Sequence, residues 1–312
     1  MTRLGVLLMT YGSPDPLDDK PRYLAAVRGG REPDGELVTE FRRRYELIGG
    51  SPLIPITEAQ GAALEARLQS RGVDARVRVG MRFSEPSVTA GLRDLAELRC
   101  ERVVGVVMSP QYSEMLMSGY QRALDAAGDE LGTDAPQVIL APAWYRNEHF
   151  VAAVARRIEE GLARLPAGSP VLLTAHSLPR RVADAEPGYL AQLRDTAVAI
   201  AAAAGLGDER WHFCWQSAGH EPGEWMKPDF ADLVPELRAA GHTSLLVAPI
   251  QFLADHLEIL YDVDIGARQQ AEAAGMAFAR IESLNVMPEF VEALAEVALR
   301  SAGEVAHQPS AC

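Results

Sequence analysis

Val6-Leu7-Leu8-Met9-Thr10-Tyr11-Gly12-Ser13-Pro14 and Val171-Leu172-Leu173-Thr174-Ala175-His176-Ser177-Leu178-Pro179 decide the reading of this chain. Each is a short apolar run that breaks on turn chemistry, the pattern of a buried strand of a parallel sheet. The two align residue for residue, so Tyr11 and His176 hold equivalent places at two strand ends. The likeness continues in Met108-Ser109-Pro110 against Val247-Ala248-Pro249, and in Phe-Val-x-Ala beginning at Phe150 and at Phe290. A duplicated fold with a cleft between its halves follows, and repeat equivalence sets Tyr11 and His176 facing one another across it. The first half carries a surplus, placed mostly between Gly29 and Pro55.

Working outward, β-branched or apolar runs alternate with stretches of helical period, the mark of strands joined by helical crossovers. Strands are expected near 3–9, 76–81, 102–108 and 137–141, and again near 170–175, 211–215, 243–248 and 277–281. Helices are expected near 35–46, 56–72, 86–98, 117–131 and 148–163, then 188–205, 228–240, 254–273 and 288–302. The fold class is therefore α/β, with two similar halves, each a four-stranded parallel sheet flanked by helices. The expected division is residues 1–147 for the first half, with a ligand-binding insertion, and 148–312 for the second.

Bulk properties narrow the function. The chain has 312 residues, of which 48% are hydrophobic and 23% charged, enough for a well-packed core. A net charge of −13 excludes a nucleic-acid partner, which needs a basic face. No run approaches the ~20 apolar residues of a membrane span. Leu4 to Met9 is too short for a signal peptide and ends in a turn. The cysteines, Cys100, Cys214 and Cys312, are far apart with no CxxC pair, so a disulfide framework or structural zinc site is not expected. A cytoplasmic location is expected.

Ligands of open parallel sheets bind beyond the carboxyl ends of the strands. There the sequence places Tyr11, Gln111, Tyr112, His176, Gln216, Asp255 and Glu258, a set rich in polar and metal-capable side chains. His176 offers an imidazole, a base or metal donor near neutral pH; alone, it also fits a structural hydrogen bond at a strand end. Asp255-His256-Leu257-Glu258 reads as a capping box opening a helix, or as a source of carboxylates. Glu258, Asp262 and Gly266 share one face of such a helix. Arg42-Arg43-Arg44 precedes Ile48-Gly49-Gly50-Ser51-Pro52. That loop is expected to free backbone N–H groups for a carboxylate, with Arg28 adding a cation. GxSxG, GxGxxG, P-loop and HExxH motifs are absent, which sets aside serine hydrolase, dinucleotide, nucleoside triphosphate and zincin chemistry.

Seven segments in order resemble the ferrochelatases: residues 5–14, Arg-Tyr-Glu-Leu-Ile-Gly-Gly-Ser-Pro-Leu (44–53), Thr-Glu-Ala-Gln (57–60), Ser-Pro-Gln-Tyr-Ser (109–113), Ala-His-Ser-Leu-Pro (175–179), Trp-Gln-Ser (215–217) and Asp-His-Leu-Glu-Ile-Leu-Tyr (255–261). The resemblance runs from about residue 4 to about residue 300. It implies two Rossmann-like halves of the chelatase type around a porphyrin. It also implies insertion of ferrous iron in haem biosynthesis. His176 and Glu258 match the family's inner metal-binding and proton-handling pair. Arg28, Arg44, Ser51 and Tyr120 match positions near the porphyrin and its propionates, and Trp225 matches a cleft-wall aromatic. Tyr11 stands where coproporphyrin III enzymes tend to carry tyrosine and protoporphyrin IX enzymes methionine, so coproporphyrin III is the expected substrate. Protoporphyrin IX is the alternative within the class, and a non-catalytic porphyrin- or haem-binding protein the alternative outside it. Gly266 departs from the family pattern, which often has a further carboxylate there. Some relatives bind a [2Fe–2S] cluster through clustered C-terminal cysteines; Cys312 stands alone, so no cluster and no tightly bound cofactor is expected. Porphyrin and ferrous iron are the expected partners. The chain is expected to act as a monomer in transient contact with adjacent haem-pathway enzymes.

Overall fold

The two deciding runs are central strands of two sheets. A computed structural model describes residues 3–14, 20–219 and 223–306. Among them, β1 (Leu4–Thr10), β2 (Ala75–Met81), β3 (Arg102–Val107) and β4 (Gln137–Leu140) form one parallel sheet in the order β2-β1-β3-β4. The second sheet repeats it: β5 (Val171–His176), β6 (Trp211–Gln216), β7 (Ser244–Pro249) and β8 (Ala277–Arg280) run in the order β6-β5-β7-β8. Strands covered on both faces carry continuous apolar runs. Val6, Leu7, Leu8 and Met9 are fully buried, as are Val171, Leu172 and Leu173. Each contributes about 1.5–3 kcal/mol by leaving water.

In the first unit the helices are α1 (Lys20–Val27), α2 (Gly35–Leu47), α3 (Leu53–Ser70), α4 (Val88–Glu97) and α5 (Glu114–Leu131). Leu92, Leu95 and Leu124 pack with Leu7, Met9 and Val107 into its core. The second unit uses α6 (Glu148–Leu162), α7 (Arg180–Ala185), α8 (Pro187–Ala203), α9 (Phe230–Ala239) and α10 (Arg268–Ala273). Phe230, Val234 and Leu237 of α9 pack there with Leu172, Cys214, Val247, Ile259 and Val263.

The structure departs from the sequence expectation in three places. The short helices α1 and α7 were not foreseen. The stretch expected as one α-helix over 254–273 is a π-helix over Glu258–Ala267, continued by α10. The division at residue 147 fails at the far end. The last helix, α11 (Pro288–Ala306), packs on α3 and β3, so residues 285–306 belong with the first sheet. The other closing helix, α6, packs on α8 and β7 of the second unit. Each closing helix thus covers the sheet of the half that did not supply its preceding strand. Phe150 and Phe290, repeat-equivalent and both fully buried, anchor the two helices.

Candidate active site

In the second unit the strand order reverses between β5 and β7, and the crevice at such a switch point is where α/β sheets bind ligands. His176 ends β5 there. Its backbone N–H donates to Oε1 of Gln251, just past β7, at 2.8 Å, and Nε2 of Gln251 donates to the Tyr189 hydroxyl. Gln251 therefore ties the end of β5 to the loop after β7. The His176 Nδ1 stands 2.9 Å from Oε2 of Glu258, the first residue of the π-helix. That bond engages one ring nitrogen and leaves Nε2 as the other. The two side chains keep 35% and 33% of their surface exposed, so the pair is shielded yet reachable.

The pair controls its own charge. Burial pushes the Glu258 carboxyl up, but the charge and hydrogen bond of His176, helped by His256, outweigh it and hold the group down at about 2. Burial likewise pushes the His176 imidazolium down, yet Glu258, with a contribution from Asp262, leaves it above its ordinary value. The charge of each group therefore depends on that of the other. Two donors leave most of a cation's coordination sphere open, which suits a metal in passage better than a closed structural site.

The π-helix has a sequence trace. Ile259, Val263, Ala267 and Ala271 are all buried and all four residues apart. At ~100° per residue, a strict four-residue file drifts around an α-helix. The wider i→i+5 turn of a π-helix keeps it in line. The same turn lines up Glu258, Asp262 and Gly266 one residue earlier. A Cβ at Gly266 would meet only the Tyr261 carbonyl at 3.7 Å, so a carboxylate would fit there sterically. The residue before the π-helix, Leu257, gives no side-chain cap. Asp255 accepts from Ser283 Oγ at 2.7 Å and pairs with Arg280 at 3.3 Å. Arg280 also grips Asp264 through two bonds of 2.8 and 2.9 Å, fastening the π-helix to the end of β8.

Trp225 borders the same strand ends. Residues on either side of it bond to the loop after His176: Met226 N–H donates to Leu178 O at 3.0 Å, and Arg180 N–H to Glu224 O at 2.7 Å. The Trp225 indole covers Gly219, where a Cβ would lie 2.9 Å from the ring.

In the first unit Tyr11 follows β1, at the matching switch point between β1 and β3, and is 38% exposed. Tyr120 lies edge-on to it at 6.3 Å and is itself 2% exposed; burial pushes its phenol well above the ordinary range. Arg28 is exposed at the end of α1. The Arg44 Nε donates to Glu40 at 2.9 Å; with Arg43, it holds the Glu40 carboxyl at about 2. The Gly-Gly-Ser-Pro loop corrects the sequence reading. Its glycine N–H groups are not free: Gly49 donates to Glu46 O at 3.2 Å and Gly50 to Tyr45 O at 2.9 Å, closing α2. Positive φ values of 72° and 96° at these residues make that turn. Ser51 Oγ accepts from Leu53 N–H at 3.4 Å at the start of α3.

Compared with known proteins, residues 3–302 match the ferrochelatase family model. The chain belongs to the ferrochelatase family. It is 36% identical over 308 residues to a ferrochelatase of Deinococcus radiodurans, covering 97% of each chain. It is 37% identical over 306 residues to a coproporphyrin III ferrochelatase of Geobacillus kaustophilus, covering 95% of each. To the coproporphyrin III ferrochelatase of Bacillus subtilis it is 31% identical over 309 residues, covering 96% and 98%. Among solved structures, SirB from Bacillus subtilis with Fe3+ has a TM-score of 0.61 at 11% identity, covering 99% and 98%, and supports the chelatase-like fold alone. No helix among the described residues of this ferrochelatase is long and apolar enough to cross a membrane. Sequence reasoning missed Gln251 and Arg280. Gln251 stands a few residues before the Asp-His-Leu-Glu motif and could have been found as a polar residue at a switch-point strand end.

Proposed function

We propose that this ferrochelatase inserts ferrous iron into coproporphyrin III in haem biosynthesis, with His176 and Glu258 handling the metal and the protons. The observation that carries the reading is the 2.9 Å His176–Glu258 bond at a topological switch point. Porphyrin metalation, a lyase-class chelation, must remove two pyrrole protons as iron enters. In the resting pair, Glu258 favours the protonated form of His176. Ferrous iron reaching the Glu258 carboxylate cancels that charge, and the imidazole then releases its proton and becomes a free base. Imidazole and carboxylate are both suitable donors for ferrous iron. Nε2 of His176 is the nitrogen left to take the pyrrole protons, one at a time, and the one-third exposure of the pair lets each pass to solvent before the next.

Tyr11 supports coproporphyrin III over protoporphyrin IX, as do the relatives named for coproporphyrin III. Arg28, Arg44 and Ser51 meet the porphyrin and its propionates, Trp225 forms an aromatic wall, and Tyr120 backs Tyr11. We place the enzyme in the cytoplasm, where the buried free thiols of Cys100 and Cys214 stay reduced. It carries no iron–sulfur cluster in this reading: both thiols sit in strand-packed cores, and burial pushes each pKa up, away from the thiolate that a cluster needs. Cys312 lies outside the described residues. We take the working form as a monomer that meets adjacent haem-pathway enzymes transiently, which size-exclusion chromatography with light scattering checks.

Anaerobic metalation followed by absorbance tests the function, with coproporphyrin III and protoporphyrin IX compared and His176→Ala alongside. Faster turnover of coproporphyrin III, abolished in the variant, is expected. Faster turnover of protoporphyrin IX would overturn the substrate assignment. Binding of both porphyrins without metalation of either would leave a porphyrin carrier.

A further inference from the structure

Arg82 directly follows β2, and Tyr11 directly follows β1. The two strands end in register at Met81 and Thr10. Their pairing continues one step further: Arg82 N–H donates to Thr10 O at 2.9 Å, and Phe83 N–H to Tyr11 O at 3.0 Å. The Arg82 guanidinium then lies among three rings, 4.7 Å from the Phe83 centroid, 5.6 Å from Tyr11 and 5.7 Å from Tyr120. Gly119 completes the seat, because a Cβ there would fall on the guanidinium carbon. Three rings and the space left at Gly119 seat this side chain more closely than a surface arginine needs.

Aromatic faces attract a guanidinium but accept few of its hydrogen bonds. Among the described residues Arg82 has no carboxylate partner. A half-buried cation without a counter-ion is costly unless an anion completes it. Its planar fork matches a carboxylate. In a chain with 43 acidic against 30 basic residues, an unpaired arginine at a ligand-facing strand end is conspicuous.

We propose that Arg82 is a substrate-binding residue whose guanidinium edge pairs with a carboxylate of the porphyrin, aimed by Tyr11, Phe83, Tyr120 and Gly119. The proposal rests on the ferrochelatase reading and deepens it. Coproporphyrin III carries propionates where protoporphyrin IX carries vinyl groups, so comparing the two porphyrins identifies which carboxylate Arg82 meets.

The test measures porphyrin Kd by fluorescence quenching without iron, then KM and kcat under anaerobic metalation. Arg82→Met, Arg82→Lys and Gly119→Ala are compared with the parent. Loss of one charge-assisted paired contact should raise Kd and KM about tenfold in Arg82→Met, with kcat within about twofold. Lysine should restore part of the loss, and Gly119→Ala should weaken binding in the same direction by displacing the guanidinium. An effect confined to coproporphyrin III identifies a propionate that protoporphyrin IX lacks; an equal effect on both identifies a shared one. An unchanged Kd for both porphyrins in a folded Arg82→Met protein would overturn the proposal, as would a fall in kcat alone. If Arg82→Met does not fold, Arg82→Gln, which keeps polarity but removes the charge, carries the same test. If the parent binds porphyrin but metalates none, the enzyme reading fails while the Kd comparison still reports on Arg82.

Discussion

Replacing Glu258 by glutamine removes one charge from a pair of side chains, each about one-third exposed. In the folded protein the Glu258 carboxyl is held at about 2 against an ordinary 4.5. At ~1.36 kcal/mol per pH unit, that sets a ceiling of roughly 3 kcal/mol. Solvent screening at this exposure cuts it to about 1.5 kcal/mol. A depressed carboxyl contributes its full share above pH 4.5 and loses it as pH falls toward 2. His176 has the opposite sign. Its raised value gives full stabilisation below 6.5, lost as pH rises through the folded value. The parent's advantage over Glu258→Gln should therefore peak between pH 4.5 and 6.5 and shrink on both sides. Roughly 60% of the carboxyl's share should be gone by pH 3. Urea unfolding of both proteins from pH 3 to pH 9 measures this. A flat difference, or one that grows toward pH 3, refutes the reasoning. The variant also frees His176 from the group that raises it, so burial pulls the imidazole down. The acid limb of metalation should move to lower pH while the overall rate falls.

Phe290→Ala and Phe150→Ala each empty a fully buried site and should cost about 3–5 kcal/mol. Hydrogen exchange should show lost protection in β1 and β3 for Phe290 and in β5 and β7 for Phe150; the reverse assignment would contradict the helix exchange. Arg280→Met leaves Asp255 and Asp264 without their cation, at a cost of about 2–3 kcal/mol in urea unfolding, with a lower kcat because the π-helix that carries Glu258 loosens. Gly91→Ala puts a Cβ 2.5 Å from the Val79 carbonyl and should destabilise by about 1–3 kcal/mol. Gly128→Ala, with open space inside α5, should stabilise by about 0.5–1 kcal/mol, and thermal melts of the two variants should shift in opposite directions.

All eight strands were legible because buried parallel strands are written as plain apolar runs, and the repeat showed that the halves share a topology. His176 and Glu258 were legible as metal-capable residues at strand ends, though only the structure supplies the bond between them. The exchange of closing helices was not legible. Both helices carry Phe-Val-x-Ala on the buried face, so the pattern fits either sheet. The π-helix left its trace in the four-residue spacing of Ile259, Val263 and Ala267, which an α-helical reading passes over. The glycines at 49 and 50 marked a turn correctly, but a turn does not say where its N–H groups are spent. Arg82 escaped notice because its surroundings, Tyr11, Phe83, Gly119 and Tyr120, are assembled from three separate stretches.

The exchanged helices also set an order of events during synthesis. A chain emerges from the ribosome from its N-terminus, and domains ordinarily fold in that sequence. Here the first sheet waits for α11, which is translated after the second unit, whereas the second unit has all its parts once residue 284 is out. The half made first is the half completed last. A premature stop near residue 285 would leave the His176–Glu258 unit whole and strip the cover from the sheet that bears Tyr11. A lesion downstream of the second half would damage the first.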